Sequence, residues 1–253
     1  MKKIKWYHLF PLVLVVLLVV FVLNIVFSLN GNPVTKAVAS SKIREYVRET
    51  YPDMNLEVSK TGYNFKFGEY LSHIQSKDSM DTSFTVNWKD GNIEDTYEED
   101  VINRWKTYER LQREFSKAVE EIIAGEFPYE TSIVFGDLGN KGEDRSGLEL
   151  DMSLDMKKLP APATLTIYFY SKEVSYELFK KRLLEISDIM EKHDISISYY
   201  NVVVQEPMEE GEKAKPDGQS IHLYDYPAQR LASENLVEDI KAHMAQWEKE
   251  HEK

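Results

Sequence analysis

The stretch that decides the fold is DTSFTVNWKDGNIEDTYEED, residues 81–100. From Phe84 to Trp88 apolar side chains alternate with polar ones, which predicts a strand with one buried face. Asp90-Gly91 is a preferred pair for the two-residue type I′ turn of a β-hairpin. The turn predicts three facing pairs: Trp88 with Ile93, Val86 with Asp95, and Phe84 with Tyr97. We interpret the stretch as scaffold, because turn geometry and cross-strand pairing account for its residues.

Asp95 is the exception in this hairpin, because the pairing places its carboxylate on the apolar face. It could be a buried functional acid, it could lie near the sheet edge, or its carboxylate could cap the following helix. Unpaired buried acids are rare, which favours the last two interpretations over the first.

A long helix is predicted directly after the hairpin. Glu98, Glu99 and Asp100 suit the positive end of a helix dipole, and Gly125 suits a helix end. Apolar residues then recur at spacings of three and four: Val101, Trp105, Tyr108, Leu111, Phe115, Val119 and Ile122.

Upstream, the sequence predicts a membrane anchor. From Leu9 to Phe27 only Pro11 and Asn24 interrupt an apolar run, long enough to cross a hydrocarbon core of about 30 Å. We predict a cytoplasmic tail at 1–8 and a transmembrane helix at 9–28. Three lysines precede the run, and basic residues stay on the cytoplasmic side, so the rest of the chain is expected outside the membrane.

A cleaved signal peptide is the alternative to this anchor. Ala37-Val38-Ala39 has the small-x-small form of a cleavage site, but it lies about ten residues beyond the apolar run. The length of the run favours an uncleaved anchor.

Between the anchor and the hairpin, one helix and three strands are predicted. Gly31 is expected to end the spanning helix, Asn32 to cap a second helix, and Pro33 to occupy its first turn. Pro52 is expected to stop that helix. The strands are predicted at Leu56–Ser59, Tyr63–Phe67 and Tyr70–Ser76.

The second half of the chain predicts a β-α-β arrangement. After a short strand at Ser132–Phe135, the expected elements are a strand at Ala163–Tyr170, a helix from Ser175 to Lys192, strands at Ile195–Val204 and Ile221–Tyr224, and a helix from Ser233 to Lys249. The predicted fold class is α+β, with antiparallel sheets packed on helices and two small domains at 29–128 and 129–253.

Composition excludes several classes of function. The chain has no cysteine, which removes disulfides, thiolate metal sites and cysteine nucleophiles. It carries 31 basic and 43 acidic side chains. Three of the basic ones precede the apolar run, so the rest of the chain has a net charge of −15. Such a surface repels nucleic acid, and we expect no nucleic-acid partner.

The loop Gly136–Asp151 is the strongest candidate for a metal site. Its possible oxygen ligands are Asp137, Asn140, Glu143, Asp144 and Asp151. Gly139 and Lys141 occupy ligand positions of the calcium-loop pattern and Leu148 replaces its final acid, so a solvated acidic loop is favoured. No two histidines stand in an HExxH-like pair. The sequence assigns no catalytic, cofactor-binding or metal-binding residue, and no cofactor.

Aromatic residues crowd the second half: Tyr168, Phe169, Tyr170, Tyr199, Tyr200, Tyr224 and Tyr226. A tyrosine-rich sheet face can bind a peptide or a glycan by stacking. The plainer interpretation, which we favour, is that these are strand residues with one apolar and one wet end.

The segments LNGNPVTKAVASSKIREYVRETYPDMNLEV (29–58) and FTVNWKDGNIEDTYEEDV (84–101) resemble the YfjL-like proteins, a membrane-anchored group of low-GC Gram-positive bacteria. The resemblance covers about residues 29–205 and implies a location and two domains, but no catalytic residues. The N-terminal half is also similar to PepSY-like and cystatin-like modules.

From these observations we expect a single-pass membrane protein whose domains lie outside the cytoplasm. The expected function is a non-enzymatic interaction or regulatory role with an unknown protein, peptide or wall partner. The alternative is a cell-envelope enzyme, a carboxylate-based hydrolase acting on wall material.

Overall fold

The computed structural model describes residues 9–139, 145–207 and 219–251. Its first element, α1, is the 22-residue helix Leu9–Asn30. In the described part of the chain it is the helix that is long and apolar enough to span a membrane, and none of its most apolar window is buried. The expected helix at 9–28 is therefore present, two residues longer at its end.

The junction after α1 forms as the sequence predicts. Gly31 has φ +76°, and its N–H donates to the carbonyl of Phe27 at 2.9 Å, which ends the helix. The Asn32 side chain accepts hydrogen bonds from the next turn, and Pro33 opens α2 (Pro33–Thr50). This second helix stops two residues before Pro52.

The first sheet has five strands. They are β1 (Leu56–Val58), β2 (Gly62–Asn64), β3 (Glu69–Ser76), β4 (Ser83–Lys89) and β5 (Asn92–Asp95). The order is β1-β3-β4-β5, with β2 also pairing with β3, and all these pairs are antiparallel. Helix α2 packs Ile43 and Val47 on this sheet, against Ile74, Phe84 and Val86.

The hairpin prediction is confirmed. Asp90 and Gly91 both have positive φ, +50° and +92°, as a type I′ turn requires. Trp88 pairs with Ile93 and Val86 with Asp95. The third expected pair, Phe84 and Tyr97, is a ring contact at 5.1 Å beyond the end of β5.

The strand predicted at Tyr63–Phe67 is wrong in its second half. Strand β2 ends at Asn64. There the side-chain oxygen accepts the N–H of Lys66 at 3.2 Å, and the carbonyl accepts the N–H of Gly68 at 2.8 Å. These bonds fold residues 65–68 into a turn, and Gly68 closes it at φ +65°.

The single helix predicted after the hairpin is also wrong. The structure has a π-helical turn at Glu98–Ile102 and then a separate helix, α3, at Trp105–Glu126. Arg104, at φ +61°, breaks the helix between them. Val101 belongs to the first core, whereas the inward residues of α3 belong to a second one.

The chain therefore divides into two compact units between Asn103 and Arg104. The boundary expected at residue 128 differs from this division because α3 packs its apolar stripe on the second sheet.

Among its described residues, the second unit contains a four-stranded sheet, three α-helices and a short 3-10 helix at Ala228–Ala232. Its elements after α3 are β6 (Thr131–Leu138), β7 (Ala163–Tyr170), α4 (Tyr176–Lys192), β8 (Tyr199–Gln205), β9 (Ser220–Pro227) and α5 (Leu236–His251). Strand order is β6-β7-β8-β9. The pair β7–β8 is parallel, as the predicted β-α-β arrangement implies, and the other pairs are antiparallel.

The β-α-β prediction is confirmed in most of its detail. Strand β7 has the predicted bounds, and the side chain of Ser175 caps α4 by accepting the N–H of Leu178. The four residues expected on the inner side of α4 are all fully buried: Phe179, Leu183, Ile186 and Met190. The strand expected from Ile195 begins at Tyr199 instead. Together with the first sheet, these elements make the chain an α+β protein.

Candidate functional site

The candidate site is the face of the second sheet that lies opposite the helices. Along β7 the residues Ala163, Leu165, Ile167 and Phe169 are fully buried, and the residues between them are partly exposed. The buried set shares one core with the inward residues of α3, α4 and α5. The alternation therefore turns Thr166, Tyr168 and Tyr170 to the opposite side, which we call the outer face.

Strand register defines the other members of the outer face. Tyr168 is flanked by Ile133 and Val203, and Thr166 by Phe135 and Asn201. The face comprises Ile133, Phe135 and Asp137 on β6, Thr164, Thr166, Tyr168 and Tyr170 on β7, Tyr199, Asn201, Val203 and Gln205 on β8, and Ser220, His222 and Tyr224 on β9.

The outer face is nearly free of permanent charge. Its members among the described residues include one acid, Asp137, and no lysine or arginine. Asp137 lies at the margin of the face, on the edge strand. In the chain as a whole, 29% of residues are charged. Depletion of charge with enrichment of aromatic residues is the composition of an interface core.

Hydrogen bonds between side chains hold the rings of the outer face in place. The hydroxyls of Tyr168 and Tyr224 lie 3.4 Å apart, and the Nδ1 atom of His222 lies 3.1 Å from the Tyr224 hydroxyl. The amide of Asn201 donates to Thr166 at 3.1 Å. Burial, followed by the contact with Tyr168, raises the pKa of Tyr224 to about 12, so the hydroxyl remains neutral at physiological pH.

Large apolar side chains are exposed on the outer face. Ile133 is 44% exposed, Phe135 43% and Tyr199 43%. They lie on the outer face and are not part of the core cluster that the described residues form. The outer face therefore combines hydrogen-bonded polar and aromatic side chains with accessible apolar groups.

The outer backbone edge of β6 is closed over part of its length. Gln112 of α3 donates from its amide to the carbonyl of Gly136, and its amide oxygen accepts the N–H of Leu138 at 2.7 Å. Ser116 accepts the N–H of Gly136 at 3.3 Å. These side chains occupy groups that a further strand would need, which is a known protection of sheet edges.

Gly136 makes this closure possible. A Cβ atom there would lie 2.6 Å from the ring of Phe115, so any other residue would force that ring out of its present close packing between α3 and the strand. Recognition by the outer face is thus better supported than addition of a strand at residues 136–138.

A crevice of about 610 Å³ lies at the carboxyl ends of the parallel strands β7 and β8. Tyr170 of the outer face also lines it, beside Tyr129 and Arg182. The guanidinium of Arg182 lies 4.4 Å from the ring centre of Tyr129 and pairs with Glu185. Lys172 adds a second cation, but Glu130 and Glu173 line the same crevice, so its charge selects neither anions nor cations.

The sequence grouped seven aromatic residues that the structure divides. Phe169, Tyr200 and Tyr226 are buried, at 0%, 2% and 0% exposure. The remaining four, Tyr168, Tyr170, Tyr199 and Tyr224, are not among the buried residues. The inner three are core residues with no end in water, so neither interpretation describes them, and both interpretations concern the outer four. Ile133 and Phe135 were missed, although their alternation along β6 is visible in the sequence.

Asp95 is a structural carboxylate. One oxygen accepts the hydroxyls of Tyr46 and Tyr51, at 2.6 and 2.7 Å, and the other accepts the N–H of Tyr97 at 3.1 Å. Asp95 ends the edge strand β5, as the sheet-edge interpretation predicts, whereas the helical turn that follows has no side-chain cap from the described part of the chain. The two tyrosine bonds join residues 44 and 49 positions apart and could not be predicted from local pattern.

The acidic loop is described only in part. Asn140, Glu143 and Asp144 lie outside the described residues. Asp137 lies on β6, where it accepts the hydroxyl of Tyr108 at 3.3 Å. Among the described residues, no three His, Asp or Glu side chains are placed to hold a metal ion. The expectation that the loop binds no metal stays a prediction.

Family comparisons agree with the two units. A model described as the YfjL-like N-terminal domain matches residues 4–100, and one described as the YfjL-like C-terminal domain matches residues 114–241. No curated protein and no solved structure matches the chain. The similarity of the N-terminal half to PepSY-like and cystatin-like modules stays a prediction.

Proposed function

The chain belongs to the YfjL-like family, and we propose that it is a non-enzymatic binding protein, anchored by α1 with both units outside the cytoplasm. In this proposal the outer face of the second sheet binds a polypeptide partner. The observation that carries it is the outer face itself, uncharged at its centre, ordered by its own hydrogen bonds and bearing exposed Ile133 and Phe135.

The exposed apolar surface of α1 supports the anchor. Its side chains from Val13 to Leu29 have no partner in the core, and a bilayer would remove them from water. Three lysines precede it, so we place the N-terminus in the cytoplasm. Protease added to intact wall-stripped cells should then degrade residues 31–253. Protection of that region would contradict the orientation.

The composition of the outer face supports a polypeptide partner. Tyrosine and phenylalanine supply large contact area with little loss of side-chain entropy, and Thr166, Asn201 and His222 can adapt their hydrogen bonds to a backbone. The rest of the chain outside α1 is strongly acidic, which favours partners with basic surface around the contact.

Site-specific photo-cross-linking in living cells tests this function. A photoreactive amino acid replaces Phe135 in the full chain, and the matched control replaces Met80, another exposed apolar residue in the first unit. We expect one discrete protein adduct from position 135 and none from position 80. Adding Ile133→Ser should weaken that adduct. Equal adducts from both positions, or none from position 135, would contradict a binding role for the outer face.

A further inference from the structure

The turn between β2 and β3 presents two phenylalanines to solvent. Phe65 is 58% exposed and Phe67 64% exposed, and neither belongs to the first core. The turn is ordered, because Asn64 holds it with two hydrogen bonds, one to the N–H of Lys66 and one to the N–H of Gly68. Residues 65–68 thus form a defined tip, which we call the Phe tip.

The base of the Phe tip is attached to the end of α1. Tyr63 and Tyr70 face each other across β2 and β3, immediately before and after the tip. A Cβ atom on Gly31 would lie 2.8 Å from atoms of both tyrosine rings, so the chain passes directly against them as it leaves α1.

Hydrogen bonds fix this contact. The hydroxyl of Tyr70 accepts the N–H of Asn32 at 2.8 Å and lies 3.2 Å from the carbonyl of the same residue. Tyr70 is only 5% exposed. The rings and the backbone therefore hold the hairpin base at the residue where the spanning helix ends.

We propose that Phe65 and Phe67 insert into the interface of the bilayer that α1 crosses, and so form a second anchor of the first unit. This inference rests on the proposed membrane anchoring. Helix α1 ends at Asn30, one residue before Gly31, so the hairpin base lies at the level of the headgroups. Two exposed aromatic rings next to that level match the side chains that bind membrane interfaces.

The other end of the same strand provides a matched control. Strand β3 has eight residues and is roughly 25 Å long at about 3.3 Å per residue. Met80 lies in the turn beyond its far end and is 63% exposed. Its exposure is within one percentage point of that of Phe67, and it should remain in water because the strand separates it from the hairpin base.

The test uses the natural absence of cysteine, so that each variant carries one label. Lys66→Cys, Met80→Cys and Val19→Cys are prepared in the full chain, labelled with a polarity-sensitive fluorophore and reconstituted into phosphatidylcholine vesicles. Lipids with a nitroxide near the headgroup or deep in the acyl chain then quench labels at those depths. Position 66 leaves both phenylalanines in place, and position 19 reports on α1 itself.

We expect shallow nitroxides to quench the label at 66 at least threefold more than the label at 80. Adding Phe65→Ser with Phe67→Ser should reduce quenching at 66 to the level of position 80. Circular dichroism should not change, because both rings are exposed.

Three results would overturn the second anchor while deep quenching at position 19 keeps α1 in the bilayer. The label at 66 could match the label at 80, could stay quenched in the double Ser variant, or could become shielded without nitroxide quenching, as a protein contact would cause. A label at 19 that deep nitroxides do not quench would instead contradict the anchoring on which the proposed function rests.

Discussion

The two units of this chain build stability on cores of very different size. Among the residues that the structure describes, the first core contains six buried apolar residues, of which Phe84 is the largest, and the second contains 27. A small core leaves little margin, because buried apolar area must offset the conformational entropy of the whole unit. The first unit compensates with aromatic rings around a carboxylate, Tyr46, Tyr51 and Tyr97 around Asp95.

The second unit has a similar arrangement with a different donor. Asp239 accepts the hydroxyl of Tyr226 at 2.6 Å and also receives a two-pronged ion pair from Arg230, at 2.8 and 2.6 Å. Asp95 is held by neutral hydroxyls in the contacts above, whereas Asp239 is held mainly by a cation. The difference in core size predicts which unit unfolds first, and the difference in the donors to the two carboxylates predicts how each unit responds to pH.

The largest effect should come from truncating the central ring of each core. Phe84→Ala and Phe169→Ala remove side chains that are 1% and 0% exposed, and each should cost about 3–5 kcal/mol. We expect Phe84→Ala to unfold the first unit at growth temperature, and Phe169→Ala to leave the second unit folded with a lower melting temperature. Hydrogen exchange followed by mass spectrometry measures each unit separately. Equal acceleration in both units by Phe84→Ala would contradict independent cores.

The next effect concerns the carboxylate of the first unit. Asp95→Ala leaves the hydroxyls of Tyr46 and Tyr51 without their acceptor and should cost about 2–3 kcal/mol. Asp95→Asn keeps an acceptor of the same size and should cost about 1 kcal/mol. Chemical denaturation of the full chain in detergent measures both. A smaller loss for Ala than for Asn would mean that the tyrosines find other partners.

Alkaline pH should act on the same cluster. Burial, and then the hydrogen bond to Asp95, raises the pKa of Tyr51 well above its usual value of 10.0. A raised pKa gives stability that is complete below about pH 10 and is lost as pH rises towards the folded-state value. In Asp95→Asn the absorbance of tyrosinate should develop at lower pH than in the wild type.

Acid pH should act on the network of the second unit. The hydrogen bond from Arg230 lowers the pKa of Asp239 below its usual value of 3.8. A lowered pKa gives stability that is present above that value and is lost as pH falls through the folded-state value. Arg230→Met should therefore cost about 1 kcal/mol at neutral pH, since the pair is partly screened by solvent. The fall in the free energy of unfolding below about pH 4, which we call the acid limb, should be flatter in this variant than in the wild type. Lys241→Met, which removes an exposed pair with Glu238, is the control and should not alter that limb. An unchanged acid limb in Arg230→Met would assign it to other carboxylates.

Local sequence signals predicted the elements whose cause is local. Asp90-Gly91, Asn32-Pro33 and Ser175 each determine a turn or a cap within a few residues, and the structure has all three. The break at Arg104 was missed because arginine has no preference for positive φ, so only tertiary packing can impose it. Strand β2 was extended too far because alternating Phe65 and Phe67 resemble a strand, while the side chain of Asn64 decides the turn.

The candidate site was predictable in composition but not in geometry. The tyrosines of β7 are visible as an alternating run, and their division between two faces follows from period two. Which face the helices cover depends on long-range packing, as does the closure of β6 by Gln112. The Phe tip itself is set locally by Asn64, but its position beside the end of α1 depends on contacts between Gly31 and residues more than thirty positions away.

The smallest effect separates backbone strain from packing by one substitution at two glycines. Gly91 in the first unit and Gly125 in α3 of the second unit both have open space where a Cβ atom would lie. They differ in conformation, because Gly91 has φ +92° and Gly125 lies in a helix. Gly91→Ala should therefore destabilise by about 1 kcal/mol through strain alone, and Gly91→Val by more, since β-branched residues resist positive φ.

Gly125→Ala should have the opposite sign and stabilise by up to about 1 kcal/mol, because alanine favours the helix and restricts the unfolded chain. Hydrogen exchange near each glycine, compared between each variant and the wild type, gives the change in the free energy of unfolding for the two substitutions. If both variants shift stability in the same direction, the turn at Gly91 does not constrain the hairpin. The stability of the first unit would then come more from the aromatic rings around Asp95 than from the turn of the hairpin.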